Sequence, residues 1–201
     1  MNVGSNPGAW VILALTCITS LYALYAAPRL LSECAFRPAE FWPKRQFDTL
    51  YLSGFVHMHV PHLLLNMVTF CFFAFPLERR MGTAAFVSLY FLALMMSLVL
   101  TWLRHHRHPG YACLGASGGV VAAVFAFIVY FPTATMIILP IPVPIPAPLF
   151  GVAYLGYCLY ASKRLSDGVN HDAHLSGALW GILFVALTDH AAIERFFRYL
   201  S

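Results

Sequence analysis

From Pro109 to Ser162 this chain carries no aspartate, glutamate, lysine or arginine. A spanning helix takes about 20 mostly apolar residues, so this stretch alone has room for two. The rest is built the same way. Further apolar runs cover Ala9–Ala27, His62–Leu77, Thr83–Leu103 and Ala173–Thr188, with short polar segments between them. Hydrophobic residues make up 60% of the sequence and charged residues 10%, with a mean hydropathy of +0.73. A soluble domain carries roughly 25% charged residues, so the solvent for this chain has to be lipid. The net charge of +4 is thinly spread. With no dense basic stripe, nucleic acid is not the expected partner.

Inside the uncharged stretch, small and apolar residues suit a helix over 117–130 and another over 147–162. Between them Pro132, Pro140, Pro142, Pro144, Pro146 and Pro148 forbid a helix, so the chain must turn or lie extended there. The expectation is an all-α bundle of six transmembrane helices, forming a single membrane domain over 1–201. The segment from Pro28 to Gly54 mixes Arg29, Glu33, Arg37, Glu40, Lys44, Arg45 and Asp48 with Phe36, Phe41, Trp42, Phe47 and Tyr51. That mixture suits a structured loop at the membrane interface. The first apolar run lacks a basic leader and is long enough to span, which reads as a retained helix. The tail is amphipathic, with Ile193, Phe196, Phe197 and Leu200 set against Glu194, Arg195 and Arg198. The five cysteines are spaced for neither zinc nor a disulfide framework. Only Cys34 and Cys113 lie where a disulfide could form, without positive indication of one.

Polar groups within spans are costly and are functional candidates. One set is His57, His59, His62 and Asn66; a second is Gly115-Ala116-Ser117-Gly118-Gly119; a third runs from Asn170 through His171, Asp172, Ala173, His174, Ser176 and Gly177 to Gly181. Ser117 is either a small packing residue or a nucleophile whose glycine neighbours leave room for a substrate backbone. His174, opening an apolar helix, either rests among headgroups or is the base a serine nucleophile needs. Gly177 and Gly181 are one turn apart, so they form a face for close helix approach, with the Ser117 helix as the natural partner. His62 and Asn66 are also four apart and share a face. They are either interhelical glue or donors for a developing oxyanion.

Together these residues resemble the rhomboid family of intramembrane serine proteases. The family's pattern of two histidines five apart and an asparagine four further on falls on His57, His62 and Asn66. Its GxSG falls on Gly115, Ala116, Ser117 and Gly118, and its AHxxGxxxG on Ala173, His174, Gly177 and Gly181. The resemblance implies a Ser117–His174 dyad without an acidic third member. It implies an oxyanion site of His62, Asn66 and the Ser117 backbone N–H, and an acyl-enzyme hydrolysed by water. No cofactor and no metal are implied. The implied partners are the lipid bilayer and transmembrane protein substrates whose helix can unwind. A bacterial plasma membrane is expected, with the site facing the extracytoplasmic side and the N-terminus cytoplasmic. The charge count opposes that orientation, because it leaves eight of the twelve basic residues outside. The partly embedded first loop distorts this count.

The sequence departs from the family at two points. The tyrosine that many members carry one turn after the nucleophile is Val121 here. The first-loop Trp-Arg pair appears only loosely, as Trp42-Pro43-Lys44-Arg45. Asp172, two residues before the base, does not share its helix face and takes no triad role. Three other readings compete. A non-catalytic relative that escorts membrane helices would have lost the serine or the histidine, and both are present. A metalloprotein could use His57, His59 and His62, but no HExxH accompanies them. A transporter would show repeats or paired broken helices.

Overall fold

The computed structural model describes residues 6–138, 141–164 and 167–201. Helix α1 (Pro7–Tyr25) leads into a loop holding three short helices, α2 (Arg29–Glu33), α3 (Pro38–Phe41) and α4 (Thr49–Leu52), and a 3-10 turn over Ser53–Phe55. Then come α5 (Val60–Met81), α6 (Thr83–His105), α7 (Ser117–Tyr130), the strands β1 (Thr135–Ile138) and β2 (Ile141–Pro146), α8 (Ala147–Arg164), α9 (His171–Thr188) and α10 (His190–Leu200). Among the described residues, α1, α5 and α6 are each long and apolar enough to cross a membrane. α9 and α10 meet the test only as a pair, bent by 116°. The six expected crossings correspond to α1, α5, α6, α7, α8 and α9, three of which qualify alone.

Helix α7 lies at the centre. All but three of its 14 residues are buried, and a helix apolar on every face has to be wrapped by others. α9, α6 and α5 supply most of the wrapping, with α8 and α10 completing it. At about 1.5 Å per residue α7 is roughly 21 Å long, against about 33 Å for α5. The residue that opens it, Ser117, is half-buried.

Helix ends follow from their caps. His59 Nδ1 accepts the His62 N–H at 3.1 Å, which starts α5 two residues earlier than its apolar pattern suggests. Pro61, within the first two positions, has no N–H to leave unmet. Asn170 Oδ1 accepts the Ala173 N–H at 3.0 Å and starts α9 at His171. His174 therefore stands in the first turn rather than at the opening position.

The expected helical bundle carries one strand element, since the proline-rich segment, expected to turn or lie extended, forms a two-stranded antiparallel hairpin with Met136 opposite Ile145 and Ile137 opposite Pro144. Along such a strand, N–H groups point alternately to the partner and away from it. Prolines two apart fall in the same phase, so Pro144 and Pro146 can both stand where no ladder donor is needed. The five cysteines are free, including Cys34 and Cys113. Their segments nonetheless meet, because Phe36 and Cys113 exchange backbone hydrogen bonds at 3.0 Å.

At the far end of α5 from His62, buried Glu78 accepts the N–H groups of Gly8 and Ala9 at 2.9 and 2.7 Å and the Thr83 hydroxyl at 2.7 Å. One carboxylate thus caps α1 and ties it to α5 and α6, with its charge at the favourable end of the α1 dipole.

Candidate active site

The turn before Ser117 is held by its backbone. Gly115 adopts φ +123°, a region open to glycine alone. A Cβ there would also meet the His62 ring at 2.6 Å. The Gly115 N–H donates to the Ser53 carbonyl at 2.8 Å. The Ala116 N–H donates to His57 Nε2 at 3.2 Å, so the His57 proton is on Nδ1, 2.9 Å from Ser20 Oγ. Ser20 in turn donates to the Phe55 carbonyl at 2.9 Å. His57 is fully buried and ties the serine turn to α1. The N–H groups of Ser117 and Gly118, which open α7, have no partner within the helix. Among the described residues the Ser117 hydroxyl makes no hydrogen bond. It borders a cleft lined also by Leu50, Ser97, Leu98, Asn170 and Ala173.

The helices carrying Ser117 and His174 are the most tightly packed pair in the bundle. A Cβ on Gly177 would run into the Gly118 carbonyl oxygen, with Gly118 Cα 3.2 Å away. A Cβ on Gly181 would run into the Ala122 carbonyl oxygen, with Ala122 Cα 3.0 Å away. The obstacle at both positions is backbone, so α7 and α9 touch main chain to main chain. Gly118 faces α6 instead, where a Cβ would strike Ser97.

The N-terminal end of α9 is anchored away from the dyad. Thr101 donates to Asn170 Oδ1 at 3.1 Å. Buried Asp172 pairs with Arg104 and, at 3.2 Å, with His105 Nε2; Arg104 also donates to Ser162 Oγ at 3.0 Å. Asp172 thus joins α9 to α6 rather than to His174. In the loop before α9, Asp167 accepts the Val169 N–H at 3.0 Å. That bond first, then His171, holds the Asp167 carboxyl below the usual range.

His174 Nδ1 lies 3.1 Å from the Tyr154 hydroxyl of α8, and the two rings stack with centroids 6.3 Å apart and planes 24° apart. Val121, where the family tyrosine is absent, is buried against α9. The ring on the base therefore comes from another helix, which spacing around Ser117 and His174 could not disclose. Tyr154 is one of three tyrosines in α8, with Tyr157 and Tyr160, so the sequence does not single it out. No hydrogen bond joins Ser117 to His174 among the described residues. Such bonds are often long before substrate arrives.

His62 packs on Gly115 and stands edge-on to His57, centroids 4.9 Å apart. Buried Asn66 donates its amide to the His62 carbonyl at 3.0 Å, and no hydrogen bond links it to the serine turn among the described residues. His57, His59 and His62 do not converge as metal ligands among the described residues. The group that does is Cys158, His171 and His174.

Known proteins are similar along most of the chain. The rhomboid domain family matches residues 44–190. RHOMBOID-like protein 12, mitochondrial, of Arabidopsis thaliana is 30% identical over 152 residues, covering 66% of this chain and 44% of that protein. Rhomboid-related protein 1 of Caenorhabditis elegans is 26% identical over 175 residues, covering 80% and 47%. Rhomboid-like protein 14, mitochondrial, of Arabidopsis thaliana is 34% identical over 73 residues, covering 36% and 22%. The chain spans less than half the length of each of these relatives. Two of them are mitochondrial by name, so the comparisons give no support to the expected bacterial plasma membrane.

Proposed function

This chain belongs to the rhomboid family, and on that premise we propose that it is an intramembrane serine endopeptidase that cleaves transmembrane protein substrates. The observation that carries the reading is the seam: Ser117 opens a helix whose backbone lies against the backbone of the helix bearing His174. A serine becomes nucleophilic at neutral pH only beside a base, and a glycine seam permits that approach.

In the proposed reaction the Ser117 hydroxyl oxygen bonds to the scissile carbonyl carbon while its proton passes to His174. The tetrahedral oxyanion is met by the Ser117 N–H, the His62 ring and the Asn66 amide, once Asn66 has exchanged its bond to the His62 carbonyl. Collapse breaks the peptide C–N bond, and His174 returns the proton to the leaving amine. Water, deprotonated by His174, then hydrolyses the acyl-enzyme. Tyr154 accepts the Nδ1–H of His174 and leaves Nε2 free for the serine proton. Substrates reach Ser117 with an unwound segment, because an intact helix keeps its carbonyls hydrogen-bonded.

The test is covalent labelling by a fluorophosphonate probe in detergent, together with cleavage of a single-pass substrate in proteoliposomes. Labelling lost in Ser117→Ala supports the reading. Asn66→Ala should slow turnover on the order of 10²-fold, the cost of one oxyanion donor. The second reading is a helix-binding relative without activity, with which the lack of a Ser117–His174 hydrogen bond among the described residues also agrees. It predicts substrate capture with neither labelling nor cleavage.

A further inference from the structure

Next to His174, two side chains that the proposed reaction does not use form a cluster with it. Cys158 lies four residues after Tyr154 on α8, and His171 three residues before His174 on α9, so each helix presents a pair on one face. The Cys158 sulfur, one His171 ring nitrogen and one His174 ring nitrogen all lie within 4.8 Å of one another. Cys158 is fully buried and free.

The state of the His171 ring shows what the cluster lacks. Its Nε2 is 3.1 Å from Asp167 Oδ2. An ionised carboxylate only accepts, so that nitrogen carries a proton, and in the neutral ring Nδ1 then keeps the lone pair. His171 is 5% exposed, and among the described residues its Nδ1 is buried without a hydrogen-bond partner. Buried polar atoms are ordinarily satisfied. A carboxylate that holds the proton on one nitrogen while the other stays bare orients a histidine as a metal ligand.

We infer that Cys158, His171 and His174 form a binding site for a thiophilic divalent cation of the zinc class, and that occupancy switches proteolysis off. The switch rests on the protease reading, whereas the site itself does not. One sulfur and two imidazoles suit zinc, with a fourth position left for water. Tetrahedral bonds of the usual length would set the ligand atoms about 3.4–3.6 Å apart, a contraction of roughly 1 Å for the widest pair. Binding exchanges the thiol proton for the metal and releases one proton. Neutral imidazole has a single lone pair. A cation on either nitrogen of His174 uses it, leaves the other nitrogen protonated, and so removes the acceptor for the Ser117 proton.

The site is tested without chemistry in the Ser117→Ala protein. In detergent, with zinc buffered by a competing chelator, it should take up one zinc per chain, and Co²⁺ should give a thiolate charge-transfer absorption. Cys158→Ser and His171→Ala should each weaken uptake by more than the 10–100-fold typical of an outer-shell loss, and Asp167→Asn by about that amount. Asp167 lies in a surface loop, so this variant remains informative where a core variant does not fold. No uptake, or uptake indifferent to these changes, overturns the site. The switch is tested with the unaltered protein in proteoliposomes. Zinc should suppress cleavage and EDTA restore it, and Cys158→Ser, active without metal, should need at least about 10-fold more zinc. Binding at the three residues with undiminished cleavage overturns the switch. Binding with no cleavage under any condition leaves the site standing and overturns the protease reading.

Discussion

Glu78 and Ser117 sit at opposite ends of the bundle, and the chain treats their oxygens in opposite ways. Every contact of Glu78 is a firm one: two backbone N–H groups and a hydroxyl close on a carboxylate that water does not reach. Nearby, Arg80 lies over the Tyr130 ring, 5.0 Å from its centroid. At the other end the backbone around Ser117 is fixed as tightly, by Gly115, His57 and the seam, while among the described residues the hydroxyl has no partner. Rigid main chain around an uncommitted side chain is what a nucleophile requires. Committed oxygens at the far end hold the scaffold. The difference teaches that a buried polar atom is informative mainly through what has been left unbonded.

The contrast breaks most sharply at the dyad. Ser117→Ala and His174→Ala should each lower turnover on the order of 10⁴–10⁶-fold, and the double variant should be hardly slower than either, because a pair acting as a unit does not lose additively. Melting temperature should not fall. A destabilised Ser117→Ala would place the hydroxyl with Glu78, as a scaffold group.

Gly181→Val should cost about 10²-fold in rate through misplacement of His174, and roughly 1–3 kcal/mol in stability through overpacking. Turnover and unfolding in one detergent measure both. Gly181→Ala should already show part of each loss, since the first carbon is the one that collides.

Tyr154→Phe should cost roughly 5–10-fold, the worth of one hydrogen bond of about 1 kcal/mol. The loss should fall on kcat rather than KM and displace the pH–rate profile, which a packing residue would not do.

Glu78→Gln should leave turnover unchanged at low temperature and lower stability by roughly 1–3 kcal/mol, the value of hydrogen bonds to a charged group. A matching loss of turnover in the still-folded variant would mean that the two ends are coupled.

Much of this was legible in the sequence because it is written locally. Ser117, Gly177 and Gly181 are named by spacing along single helices, and the uncharged run from 109 to 162 declares the membrane. What escaped depends on which helix lies against which. Tyr154 meets a histidine 20 positions away, and no periodicity within α8 points to it. His57 belonged to a recognised pattern, but its bonds to Ala116 and Ser20 join three separate elements. Asp172 reads from its helix face as standing apart from His174, while its partners Arg104 and His105 lie on another helix. The proline run reads as a segment that turns or lies extended, and the hairpin does both; its pairing escapes because prolines are read first as interruptions, although their two-residue spacing is also that of a strand.

The seam also has a genetic consequence. Every missense change in a glycine codon, whichever base is altered, gives a residue with a β-carbon. At Gly177 and Gly181 that carbon meets carbonyl groups of α7, and no second mutation in α7 can remove a carbonyl. A collision between side chains can be repaired by shrinking the neighbour. Here the neighbour has nothing to give up, so neither position has a stepwise route to an alternative, and reversion is the repair open to a lineage that loses one of these glycines.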